Sequence, residues 1–108
     1  MSNMDAVKWY HYVAAFFAGA FLMNAVPHLV HGVSGDLFPS PFAEPPGKGL
    51  SPPLTNTLWG LFNLVIGYLL FRAGKISASR KVLLLVFFVG LLLMGVMLSL
   101  SFVDKMKA

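Results

Sequence analysis

The chain has 108 residues, 57% of them hydrophobic and 11% charged, with a formal net charge of +4 and no cysteine. Soluble domains hold roughly a quarter charged residues, so an ordinary water-soluble domain is excluded, and no Arg/Lys patch interleaves with aromatics as a nucleic-acid groove requires. The missing thiols exclude thiolate metal sites, iron-sulfur clusters, CxxCH haem attachment and redox disulfides.

Apolar sequence free of Asp, Glu, Lys and Arg runs from Trp9 to His31, from Leu54 to Phe71 and from Val82 to Val103. Each run is near the roughly 20 residues that cross a hydrocarbon core. The pattern predicts one all-α integral membrane domain over 1–108. Its parts are a first transmembrane helix over 8–33, a Pro/Gly-rich cap loop over 34–53, a second helix over 54–73, a short basic loop over 74–79, a third helix over 80–103 and a tail over 104–108. A cleaved signal peptide is the competing account of the first run, with Ala18-Gly19-Ala20 as the cleavage site. That site lies in mid-span and only Lys8 precedes it as a basic residue, so the expectation is a retained helix. Trp9, Tyr10, His11 and Tyr12 read as an interfacial aromatic belt.

The segment from Ser34 to Pro53 holds six of the seven prolines together with Gly35, Gly47 and Gly49, and so continues neither helix. Leu37, Phe38, Phe42 and Leu50 give it apolar teeth, which predicts a cap packed over the helix ends or dipped into the interfacial layer. Ser51-Pro52-Pro53 reads as a helix start, with a hydroxyl N-cap and proline in the first turn. Gly74, with Ser77 and Ser79, marks the second turn. Lys8, Arg72, Lys75, Arg80 and Lys81 outweigh Lys48, Lys105 and Lys107 on the opposite side, which predicts a cytoplasmic N-terminus.

One compact set of polar residues interrupts this apolar background. Asn24, His28 and His31 recur at i, i+4 and i+7 on one stripe of the first helix. Pro27 lies beside them and frees the carbonyl of Met23, with a tendency to kink the helix. On the second helix Asn56, Gly60, Asn63 and Gly67 form a stripe of alternating amide and small residue, suited to close helix approach and interhelical hydrogen bonds. Counted inward from the loop side at about 1.5 Å per residue, His28 and Asn56 share one depth, and Asn24 and Asn63 a deeper one. The two stripes are therefore expected to pair, with His31, Thr55 and Trp59 lining the mouth. Gly90, Met94, Met97 and Ser101 make the third helix a packing partner.

Intramembrane polar residues are a site hypothesis by default, and the candidate binding residues are Asn24, His28, His31, Asn56, Trp59 and Asn63. The bland account is that the histidines bond nearby amides or freed carbonyls at head-group level and that the asparagines hold helices together. Asp36 and Glu44 then read as solvated loop charges and the methionines as apolar filler. Three sharper readings stand beside it. The first is a non-enzymatic accessory, assembly or ligand-binding subunit, associated with the lipid bilayer and with itself or a larger membrane protein, and needing no cofactor. The second is an oligomeric small-solute transporter; the ingredients resemble those of small three-span sugar carriers, although those carry Pro-Gln where Pro27 is followed by His28, and have a far shorter first loop. The third is a haem- or metal-binding redox subunit in which His28, His31 and Asp36 supply ligands. A hydrolytic enzyme is disfavoured by the absence of GxSxG, HExxH or a phosphate-binding Gly loop.

Residues Asn24 to Tyr68, with their Pro-His, His-Gly, Pro-Pro-Gly and Leu-Trp-Gly landmarks, resemble small bacterial multi-pass membrane proteins of no known activity. The resemblance implies a plasma-membrane setting and carries over no functional residue.

Overall fold

The computed structural model describes residues 6–103. It is mostly helical, with α1 over Trp9–Val33, α2 over Pro53–Ala73 and α3 over Lys81–Ser101. All three are long and apolar enough to cross a membrane. The expected tail, with Lys105 and Lys107, lies outside the described residues.

α1 is the central helix. α2 lies antiparallel along one side of it and α3 parallel along another, as the facing residues show: Leu22 and Leu29 of α1 meet Gly67 and Gly60 of α2, while Phe16 and Met23 meet Gly90 and Gly95 of α3. The outer two helices approach each other near the short second loop, where Phe71 and Phe87 stack edge to face at 5.2 Å. Between hydrocarbon-soluble helices there is little hydrophobic driving force, so close backbone approach and polar contacts must supply the adhesion. Glycine supplies the approach. A methyl group added at Gly90 would run into the carbonyl oxygen of Phe16, and one at Gly19 into that of Phe87.

The interior is correspondingly small or polar and the exterior large and apolar. The four buried residues of α2 are Asn56, Gly60, Asn63 and Gly67, whereas Leu54, Leu58, Phe62 and Leu69 are exposed. α3 buries Leu83, Phe87 and Gly90. The expected stripe on this helix is thus corrected: Gly90 faces α1, but Met97 and Ser101 are exposed. An apolar cluster of Ala15, Ala18, Ile76, Leu83 and Phe87 fills the end nearest the second loop, leaving the polar groups to the opposite end.

There the connection between α1 and α2 departs from a purely helical description. Phe38–Pro39 (β1) and Leu50–Ser51 (β2) pair antiparallel, with Phe38 opposite Ser51 and Pro39 opposite Leu50. Gly35 and Gly47 take left-handed backbone angles, φ 80° and 75°, that other residues adopt at a cost. Of the four apolar teeth only Phe38 is buried; Leu37, Phe42 and Leu50 remain exposed. Ser51 is not the α2 N-cap. Pro52 holds that position with Pro53 in the first turn, and the Ser51 hydroxyl instead shares a 2.6 Å hydrogen bond with that of Ser40.

At the start of α1 the aromatic belt also divides. Trp9, Tyr10 and Tyr12 are exposed but His11 is buried, and its Nδ1 accepts the Lys8 backbone N–H at 2.9 Å. That bond satisfies one of the orphan donors at the helix N-terminus.

Candidate functional site

The polar stripes of α1 and α2 face each other and form two bonded pairs. His28 Nδ1 lies 2.7 Å from Asn56 Oδ1, and Asn24 Nδ2 donates to Asn63 Oδ1 at 3.0 Å. Asn56 and Asn63 are 0% and 1% exposed, so any unpaired donor or acceptor on them would carry a full desolvation penalty. The remaining bonds avoid that. Asn63 Nδ2 donates to the carbonyl of Trp59 at 2.8 Å. Asn56 Nδ2 donates to the carbonyl of Phe38 at 2.8 Å, with those of Ser51 and Pro52 at 3.3 and 3.5 Å.

These bonds set a direction. A carbonyl accepts only, so each asparagine must turn its NH₂ toward the carbonyl and its oxygen toward α1. Asn56 Oδ1 then accepts, which makes His28 Nδ1 the donor and assigns the ring proton to Nδ1. Asn63 Oδ1 likewise accepts from Asn24 Nδ2, which leaves Asn24 Oδ1 as that side chain's other polar group. The strand ribbon thereby acts on the helices: the Phe38 carbonyl orients Asn56, and Asn56 orients His28.

His31 occupies the mouth. Its ring stacks on Phe38 at 4.2 Å with the planes 12° apart, and its Nδ1 lies 3.1 Å from Asp36 Oδ2. Asp36, 56% exposed, is a solvated loop charge that also pairs with His31. The Asp36 backbone N–H also donates to the His31 carbonyl at 2.9 Å, which holds the carboxylate over the end of α1.

Beneath the cap lies a cavity of about 250 Å³ whose lining includes Asn24, His28, Pro39, Pro41, Trp59, Leu98 and Phe102. Trp59 forms one wall, 6.4 Å from the His28 ring between centroids, and is itself packed between Phe42 at 5.2 Å and Phe62 at 5.6 Å. Its indole Nε1 is enclosed without a hydrogen-bond partner among the described residues. On the outer side Trp59 borders an apolar groove with Phe42, Thr55, Leu58 and Phe62. Thr55 thus lies on that outer side and does not line the polar cavity.

All six sequence-derived candidates gather at this end of the molecule, five of them in the two bonded chains and His31 beside them. Sequence reasoning missed Phe38, whose carbonyl orients Asn56, and Phe102, whose ring lies 4.8 Å from Phe38 and 6.4 Å from His28. A signal for Phe102 existed: it closes the third apolar run on the same side as the first loop. Among the described residues no group of three or more His, Cys, Asp or Glu side chains is placed to hold a metal ion. His31 and His28 each commit Nδ1 to a different acceptor, so their rings are oriented by separate partners. No family model, curated protein or solved structure matches this chain.

Proposed function

We propose that this chain is a small multi-pass protein of the plasma membrane, with its N-terminus in the cytoplasm, that serves as a non-enzymatic accessory subunit and binds a small ligand in the polar cavity between α1 and α2. One observation carries the reading: two bonded pairs, His28 with Asn56 and Asn24 with Asn63, are held in fixed orientations beside a cavity that Asn24, His28 and Trp59 line. Helix adhesion alone would be served by glycine stripes and isolated amides. It would not require that a strand ribbon orient an asparagine, that the asparagine orient a histidine, or that the result border open volume. No carboxylate stands beside His28 among the described lining residues, and the Ser40 hydroxyl is committed to Ser51 and to the Phe42 N–H, which favours binding over chemistry. Self-association, or docking on a larger membrane protein, completes this proposal, with the exposed flanks of α2 and α3 as the available surfaces.

Native mass spectrometry of the full chain, released from mild detergent, tests the reading. The wild type is expected to retain a small molecule or a partner that His28→Leu and Asn63→Leu lose and that Met94→Leu keeps. Equal retention by all three variants, or none by the wild type, would count against it.

A further inference from the structure

Both hydrogen-bonded chains end on α1, and they end alike. From the Phe38 carbonyl through Asn56, and from the Trp59 carbonyl through Asn63, each passes its donors in one direction. A chain that begins on an acceptor and runs through groups that each donate backward finishes on a lone pair. The two terminal atoms are His28 Nε2 and Asn24 Oδ1. Neither makes a hydrogen bond among the described residues, and neither is among the enclosed, unpartnered polar atoms. Their residues are four apart on α1, hence neighbours on one face at about 5–6 Å between Cβ atoms, and both line the 250 Å³ cavity.

We propose that this cavity is a site for an uncharged hydrogen-bond donor: a small molecule whose O–H or amide N–H groups are given to His28 Nε2 and Asn24 Oδ1. The proposal rests on the ligand-binding reading above and specifies its chemistry. Charge is disfavoured on both sides. Among the described residues no Asp, Glu, Lys or Arg lines the cavity, so a cation would lose its hydration for neutral acceptors, and an anion would meet the two lone pairs with only the Ser40 and Ser101 hydroxyls to offset them. Aromatic and proline walls, from Trp59, Phe102, Pro39 and Pro41, suit a short carbon skeleton behind the donor groups. The volume exceeds the ~150 Å³ that accommodates benzene in an apolar cavity, so a molecule of several heavy atoms is accommodated.

The test uses the full chain in lipid nanodiscs with ¹⁵N-labelled histidine. The His28 resonances are expected to show a protonated Nδ1 and a bare Nε2. Four probes of similar size then separate the classes: propane-1,2-diol and propionamide as O–H and N–H donors, methyl acetate as an acceptor only, and methylammonium as a cation. The diol and the amide should shift His28 Nε2 saturably, and whichever binds more tightly identifies the donor type. Methyl acetate and methylammonium should leave it in place. Asn24→Leu should weaken donor binding about fivefold to tenfold, as the loss of one hydrogen bond does. If that variant does not fold, the wild-type tautomer and the four-probe comparison still decide. A proton on Nε2 with Nδ1 bare overturns the proposal. So does a methyl acetate response equal to that of the diol, although the cavity would then remain a binding site. A His28 signal that no probe moves overturns both the donor rule and the ligand-binding reading.

Discussion

At the scale of single residues, Asn56 links three parts of the molecule. Its amide hydrogens hold the cap through the Phe38 carbonyl, its oxygen holds His28, and it is fully buried. Asn56→Leu leaves the His28 Nδ1–H without its acceptor and takes one donor from the Phe38 carbonyl, and is expected to lower stability by about 1–3 kcal/mol. His28→Leu strands only Asn56 Oδ1 and should cost less. A double-mutant cycle on the two positions, read from reversible unfolding in bicelles, should give a coupling on the order of 1 kcal/mol, the range of interhelical hydrogen bonds in membranes. Additive effects would mean that the 2.7 Å contact contributes nothing. The amide spacing, and the pairing by depth, were legible in the sequence because helical geometry converts residue number directly into face and height. The destinations of Ser51, Asp36 and His11 were not. Each has a short polar side chain or ring with several acceptors or donors in reach: the ribbon brings Ser40 to Ser51, the turn after α1 brings Asp36 to His31, and the first turn of α1 gives the Lys8 N–H to His11.

At the scale of elements, the two interfaces of α1 differ in what a glycine faces. Gly90 abuts the backbone of Phe16, which cannot yield unless α1 and α3 separate, whereas a methyl group added at Gly95 would lie 3.5 Å or more from the flexible side chain of Met23. Gly90→Ala is therefore expected to destabilise by about 1–3 kcal/mol, as overpacking does. Gly95→Ala should stay within about 0.5 kcal/mol. The same unfolding measurement checks both, and equal losses would show that the α1–α3 approach is not set by Gly90. This contrast also explains why α3 was the least legible helix. It is apolar nearly all round, so no polar stripe marked the face that meets α1, and the expected row through Met97 and Ser101 followed small and soft residues onto exposed positions, of which Ser101 borders the cavity. On α2 the amides and glycines coincide on one stripe, and the face was readable.

At the scale of the whole molecule the distribution of charge is as polar as the distribution of packing. The described residues extend 52 Å along the longest axis, more than the roughly 30 Å of a hydrocarbon core, so the cap and the second loop reach opposite head-group layers. Lys8, Arg72, Lys75, Arg80 and Lys81 stand at the end with the apolar cluster, and Lys48 at the end with the cavity. Basic residues next to spans are retained in the cytoplasm, so the orientation proposed above would put the cavity on the far side of the membrane, open to an external solute. The chain has no cysteine, so single replacements report side without background. Lys48→Cys in the cap and Ala78→Cys in the short loop are both exposed positions. A membrane-impermeant maleimide should label the first in intact cells and the second only after the membrane is opened. The reverse pattern would turn the cavity toward the cytoplasm and change the pool of solutes it meets, while leaving the helix pairing and the acceptor chains as they are.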